Sequence, residues 1–366
     1  MLRRSLMLEV MLPFLAWTGL LCVLLFVMAF LKGTDLLLGS AVTGWDLTRL
    51  IVFLMPQFLV QAVPIAFLLA ILLGLGRLAE DGELSALQAL GVSPAEVVRA
   101  PLVLSVGVTV LLAVMMSTAQ PWGQRMVREA AHDILRRNLM KDLKPGVFHE
   151  EVRGLTLYTG AADGAGRLKQ VLVHDERDPE RPLLVLASKG TVSATSWENL
   201  LEFELDDGEV HRASRETDEY TVIGFGHATL HAGVGDSYLQ KNQLNNMRDQ
   251  QTPFELIEGV RAAERRGEDP RPLAVTLHWR LGQMLMPLSF AFLGAPLAIA
   301  RRRGGRAWGA LLTMAGYVGF YVVARLAVQL ADAGSLPPLF AGQLPNVIFV
   351  GLGLLVLLRV VKRGAT

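Results

Sequence analysis

The residues of this 366-residue chain that could do chemistry are poorly placed for it. His149-Glu150-Glu151 opens like a helical zinc motif, in which two histidines one turn apart bind metal and the glutamate acts as base. Arg153 stands where the second histidine is needed. Gly74, Gly76 and Ala79 spell a dinucleotide fingerprint, but they follow an apolar run instead of a strand and lack a βαβ context. No G-x-x-x-x-G-K-[ST] phosphate loop occurs, so ATP hydrolysis by that route is excluded for this chain. The seven histidines are scattered, and no Ser/His/Asp set can be inferred. The single cysteine, Cys22, excludes an intrachain disulfide and a multi-cysteine zinc site. A net charge of +1 argues against nucleic acid as a partner. The expectation is a non-catalytic chain with no cofactor of its own.

The elements that carry these residues are mostly apolar, with 52% hydrophobic and only 19% charged side chains. Crossing a hydrocarbon core takes about 20 apolar residues in a helix. Six stretches approach that length: Met11 to Leu31, Ile51 to Leu73, Pro101 to Trp122, Leu281 to Ala300, Trp308 to Leu330, and the shorter Val347 to Val361. If all six cross, Arg3 and Arg4, the group Arg301, Arg302, Arg303 and Arg306, and the terminal Arg359, Lys362 and Arg363 share one side. Basic residues near span ends mark that side as cytoplasmic, with both termini on it. Arg3-Arg4 before an apolar run also fits a signal peptide, but the run is too long and no persuasive small-x-small site follows. Pro56, Pro64, Pro287 and Pro296 permit kinks, and Gly294 with Ala298 leaves a small face for a neighbouring helix.

Between the third and fourth spans the period changes to strand-like alternation. Runs beginning VFHEEV, LTLYTG, LKQVLVHDE, LLVLASKG, LLEFELDD and YTVIGFGH are rich in β-formers, and Asp163-Gly164 with Gly166, Asp178-Pro179 and Asp207-Gly208 supply turn chemistry. Leu201, Phe203 and Leu205 alternate with Glu202 and Glu204, as in a sheet with one wet face. The expected fold is an α-helical membrane protein with six transmembrane helices and an inserted all-β domain, a sandwich or jelly roll, outside the inner face. Residues 1–143 would hold the first three spans, 144–245 the β-domain, 246–280 a connector and 281–366 the last three spans.

The segment Gly76 to Pro94, GRLAEDGELSALQALGVSP, interrupts the apolar pattern on the cytoplasmic side. Asp81 is placed to cap a short helix near residues 80–91, with Glu83 in its first turn where negative charge suits the dipole. Leu84, Leu87 and Leu90 give it an apolar face, Gly91 can stop it in the left-handed conformation, and Ser93-Pro94-Ala95-Glu96 spells a capping box. Such a helix suits either a groove on a cytosolic partner or the lipid interface.

Glu9 before the first span, Lys32 after it, Leu75-Gly76-Arg77-Leu78, Glu83 and Gly91-Val92-Ser93 together give a sequence that resembles the LptF/LptG permeases of the lipopolysaccharide-export ABC transporter. Pro121-Trp122, Trp279-Arg280 and Gly305-Arg306 place the resemblance nearer the LptF branch. The resemblance implies an inner-membrane permease with a periplasmic jelly roll, paired with a sister permease (LptG or LptF). Two copies of the ATPase LptB would bind the ATP and magnesium, and lipopolysaccharide would pass toward LptC. The short helix would be the coupling helix, with Glu83, Leu84, Leu87, Leu90 and Gly91 docking the ATPase. Lys32 would meet the lipid's phosphates; Arg325 is a second candidate contact, and Phe26, Phe30, Phe58 and Phe67 are candidates to line a cavity for acyl chains. The rival readings are an ABC permease of the lipoprotein-release or cell-division type, commonly with four spans, and a membrane-anchored periplasmic adaptor with no ATPase.

Overall fold

The computed structural model describes residues 2–32, 42–142, 145–152, 154–163, 167–176, 182–195, 200–213, 220–233, 250–300 and 306–364. The expected turns at Gly164, Gly166 and Asp178-Pro179 and the Arg301–Arg303 cluster lie outside them. The first helices are α1 (Leu2–Lys32), α2 (Gly44–Glu80), α3 (Glu83–Ala89), α4 (Pro94–Val114) and α5 (Gln120–Asp142). A π-helical turn, Met115–Ala119, joins α4 to α5. Strands β1 (Phe148–Val152), β2 (Leu155–Ala162), β3 (Arg167–Asp175), β4 (Leu183–Thr195), β5 (Leu200–Ala213) and β6 (Tyr220–Gly233) follow. The chain ends with α6 (Pro253–Arg266), α7 (Arg271–Met284), α8 (Met286–Ile299), α9 (Arg306–Asp332) and α10 (Pro338–Gly364). It divides into two compact units: Met1–Met28, Leu54–Gln124 and Met247–Thr366 in one, Ala29–Phe53 and Arg125–Asn246 in the other.

Among the described residues five helices are long and apolar enough to cross a membrane, or six if α7 and α8 count as one. At about 1.5 Å per residue, the 37 residues of α2 reach about 55 Å, well beyond a hydrocarbon core. The apolar part of α2 is mostly buried, whereas α1, α9 and α10 are mostly exposed, which makes α2 the central helix. Phe67, Ile71 and Leu75 of α2 meet Phe290, Ala291 and Ala295 of α8 in one core. The small face expected at Gly294 and Ala298 is used there: a Cβ at Gly294 would sit 2.8 Å from Leu68 Cδ1 of α2.

The fourth span differs from its expected form. Helix begins at Arg271, inside the expected connector, and bends by 42° between α7 and α8. Pro287 has no amide to continue the hydrogen-bond ladder, so the helix breaks at Leu285. A buried polar group compensates: Asn346 of α10 donates to the Gly282 carbonyl at 3.0 Å and accepts from Ser289 at 2.8 Å.

In the second unit all six expected strands form, as one antiparallel sheet in the order β1-β2-β3-β4-β5-β6. The expected all-β insert is thus an antiparallel sheet, and among the described strands each pairs with its neighbours in sequence, as short connections favour. Phe203 and Leu205 are buried and Glu204 is exposed, matching the alternation read in β5. Asp207-Gly208 does not turn the chain. It lies inside β5, with Asp207 at φ 53°, and Gln170 in β3 takes the same φ. The inward rows Val171–Ala187–Gly208–Phe225 and Leu168–Gly190–Leu205–Ala228 are three residues apart along each strand instead of two. A one-residue slip swaps the faces of a strand, so four strands making it together keep one apolar face while the sheet creases. The buried cluster of Leu157, Val173, Val185 and Phe203 lies on that face.

Candidate functional site

The segment between α2 and α4 folds as a separately capped helix. Glu83 is the first residue of α3 and is exposed, Leu84 is buried in the helical core, Leu87 is half-buried, and Leu90 is 82% exposed. The leucines therefore divide the labour: Leu84 anchors the helix while Leu90 faces outward. The start differs from expectation, because Gly82 in the left-handed conformation precedes the helix and Asp81 makes no side-chain cap. The stop is as the sequence suggests. Gly91, at φ 89°, donates to Gln88 and Val92 donates to Leu87, the paired bonds of a Schellman motif. The next helix is entered through a complete capping box, with Glu96 N–H donating to Ser93 Oγ at 3.2 Å and Pro94 in the first turn. A Schellman stop, followed at once by the capping box of α4, ends this helix as a short peg with an acid and a leucine displayed.

The candidate lipid contacts occupy different settings. Lys32 ends α1, and its side chain lies outside the described ones. Arg325 is exposed on α9, with its guanidinium 5.2 Å over the Tyr321 ring and Nη2 donating to Tyr321 Oη at 2.9 Å. Tyr321 in turn stacks on Tyr317 and meets Trp279 edge-on, so the cation ends an aromatic ladder the sequence did not disclose. Phe26 and Phe58 form an edge-to-face pair with centroids 6.5 Å apart. Phe30 is exposed, and Phe67 is fully buried against Phe14.

Two polar ties went unread. Arg280 of α7 is 1% exposed; it donates to the Gln251 carbonyl and lies 3.4 Å from Gln120 Oε1, while Gln120 donates to Gln57 of α2 at 2.6 Å. In the second unit, Arg137 of α5 pairs with buried Asp46 at 2.6 Å. Thr43-Gly44-Trp45-Asp46 was a legible signal, a capping box in which Thr43 N–H donates to Asp46 and Asp46 N–H to Thr43. Asp46 lies in the first turn of α2, ahead of the apolar stretch that starts at Ile51. Burial pushes its carboxyl up, but the hydrogen bonds from Arg137 and Thr43 outweigh burial and hold it at about 2. A depressed carboxyl stabilises the fold above its unfolded value near 4, and that stability is lost as pH falls toward 2. Hydrogen-exchange protection at the start of α2, taken relative to the intrinsic rate at each pH, is therefore expected to fall across that window in the wild type. In Asp46→Asn protection should already be low at pH 5 and change little on acidification; a well-protected variant whose protection still falls with pH would refute the tie.

The chain thus combines long apolar helices packed around a buried central one with an inserted antiparallel sheet and a short helix between α2 and α4. The sequence matches the family described as lipopolysaccharide export system permease LptF/LptG over residues 4–359, and the chain belongs to that family. It is 23% identical over 325 residues to the lipopolysaccharide export system permease protein LptF of Escherichia coli strain K12, covering 87% of this chain and 85% of that protein. The LptF of Shigella flexneri matches to the same extent.

Proposed function

We propose that this chain is the LptF-type half of a lipopolysaccharide-export permease, spanning the inner membrane six times with cytoplasmic termini and its sheet in the periplasm. Family membership over nearly the whole chain carries the reading. Five apolar helices, or six with the bent pair, also exceed the four spans common in lipoprotein-release permeases. The chain hydrolyses no ATP. Two copies of LptB supply hydrolysis, LptG is the sister permease, and lipopolysaccharide leaves over the apolar face of the sheet toward LptC.

Force enters through α3. Leu84 ties the peg to the core that contains α2, so movement of a docked ATPase is carried into the central helix. Glu83 and Leu90 form the docking surface, Leu87 supports it, and Gly91 sets where it ends. On the outward side Lys32 and Arg325 meet phosphates, and Phe26, Phe30 and Phe58 offer apolar surface, with Phe67 supporting them from the core.

Glu83→Lys tests this reading. An exposed first-turn residue has little bearing on stability, so the variant is expected to melt like the wild type. Its co-purification with LptB and its export of lipopolysaccharide should fall about tenfold, the scale of one docking hot spot. Normal assembly and export by the variant would refute the coupling role.

A further inference from the structure

A cavity of about 220 Å³ opens in the helical unit between α1, α2, α8 and α9, at the end where α2 stops and α9 begins. Two glycines shape it by close approach. A Cβ at Gly74 would lie 2.6 Å from the Glu9 carbonyl of α1, and one at Gly309 would lie 2.9 Å from Leu73 Cδ2. Pro13, Leu72, Leu73 and Leu312 make the walls apolar, and Trp17 and Trp308 stand among them. Indole rings of this kind sit at the level of lipid headgroups.

The polar part of the lining is small and specific. Arg77 pairs with Glu9 at 2.7 Å, and Glu80, one turn further along α2, adds a second, exposed carboxylate. Two carboxylates and one guanidinium leave one net negative charge. That balance repels a headgroup carrying only negative charge, and phosphorylated sugars most of all. It suits a headgroup with one phosphate and one ammonium a few bonds away. The volume holds such a headgroup but not acyl chains, for which the exposed Leu311 and Met314 of α9 provide an apolar outer surface.

We propose that this cavity binds the headgroup of a phosphoethanolamine phospholipid, with its phosphate at Arg77 and its ammonium at Glu80. This places a bilayer lipid beside the central helix, one turn before the α3 peg, and apart from the exported lipid. The proposal rests on the membrane-spanning reading of the chain.

The full chain, incorporated into nanodiscs of equal phosphatidylethanolamine and phosphatidylglycerol, tests it by release into mild detergent and native mass spectrometry. Retained phosphatidylethanolamine is expected to exceed phosphatidylglycerol about fivefold, the scale of one partly exposed charge contact. Glu80→Gln, at an exposed position, should bring the ratio close to one, and Leu73→Trp should remove one bound lipid by filling the cavity. Equal retention by the wild type, an unchanged ratio in Glu80→Gln, or displacement of the retained lipid by added lipopolysaccharide would overturn the proposal. A chain that does not enter the nanodisc at all refutes the membrane reading, and this proposal with it.

Discussion

Gly342→Ala is expected to destabilise the helical unit by about 3 kcal/mol, the upper range for atoms forced into a packed interior. A Cβ at Gly342 would overlap the His278 carbonyl of α7. The obstacle is backbone, so no rotamer change relieves it. The contact is also mutual, since a Cβ at Gly282 of α7 would overlap the Gly342 carbonyl, and one at Gly353 would overlap the Phe292 carbonyl of α8. Helix α10 therefore lies backbone to backbone on both halves of the bent span. Small residues permit such approach where helices gain little from hydrophobic burial against one another. Spreading the seam would also part Asn346 from the Gly282 carbonyl and from Ser289, exposing polar groups with no water to take their place. Gly351, also on α10, has open space around its Cα and serves as the control. Alanine there should be neutral or slightly stabilising, because a helix-interior glycine carries extra entropy when unfolded. Thermal unfolding of the two variants in detergent separates these outcomes. Equal midpoints would mean that the seam is not tight.

The contrast between legible and hidden features follows from how local each one is. The Ser93 box, the Gly91 stop and the six strands are written in runs of a few residues, because caps and alternation act over one turn or one strand. The same locality misled at two places. Asp81 has the right chemistry to cap α3, yet Gly82 takes the left-handed conformation that places the chain there. Asp207-Gly208 has the right letters for a turn. Pairing to strands on both sides continues through it without a shift of register, so the left-handed residue stays in the ladder of β5. The crease is visible only when four strands are laid in register, and no single strand contains it. Likewise Gly342 and Gly353 of α10 owe their place to the backbones opposite them, which no local run of sequence contains.

Replacement of the buried arginine in α7 should be the other severe change. Arg280 is the largest fully buried side chain described, and its donors meet the Gln251 carbonyl and Gln120. Gln120 follows directly on the π-helical turn, whose extra residue changes the face that α5 presents relative to α4. With Gln120 bonded to Gln57, one guanidinium ties α7 to α5, to α2 through Gln120, and to the residue entering α6. A buried cation is costly to transfer from water and is tolerated only when dipoles surround it, so the side chain has use mainly as a multi-pronged donor. Arg280→Ala leaves a large void and strands both acceptors, and should lower stability by about 3–5 kcal/mol. Arg280→Lys keeps the charge but replaces a planar fork with a point donor, and should recover less than half of the loss. Size alone is tested by Arg280→Met combined with Gln120→Leu. If the tie is a hydrogen-bond network, the double variant should be more stable than the sum of the single losses by about 1 kcal/mol or more. Strict additivity in thermal unfolding would reduce Arg280 to a space-filling residue, and unaltered melting of Arg280→Met would remove the network altogether.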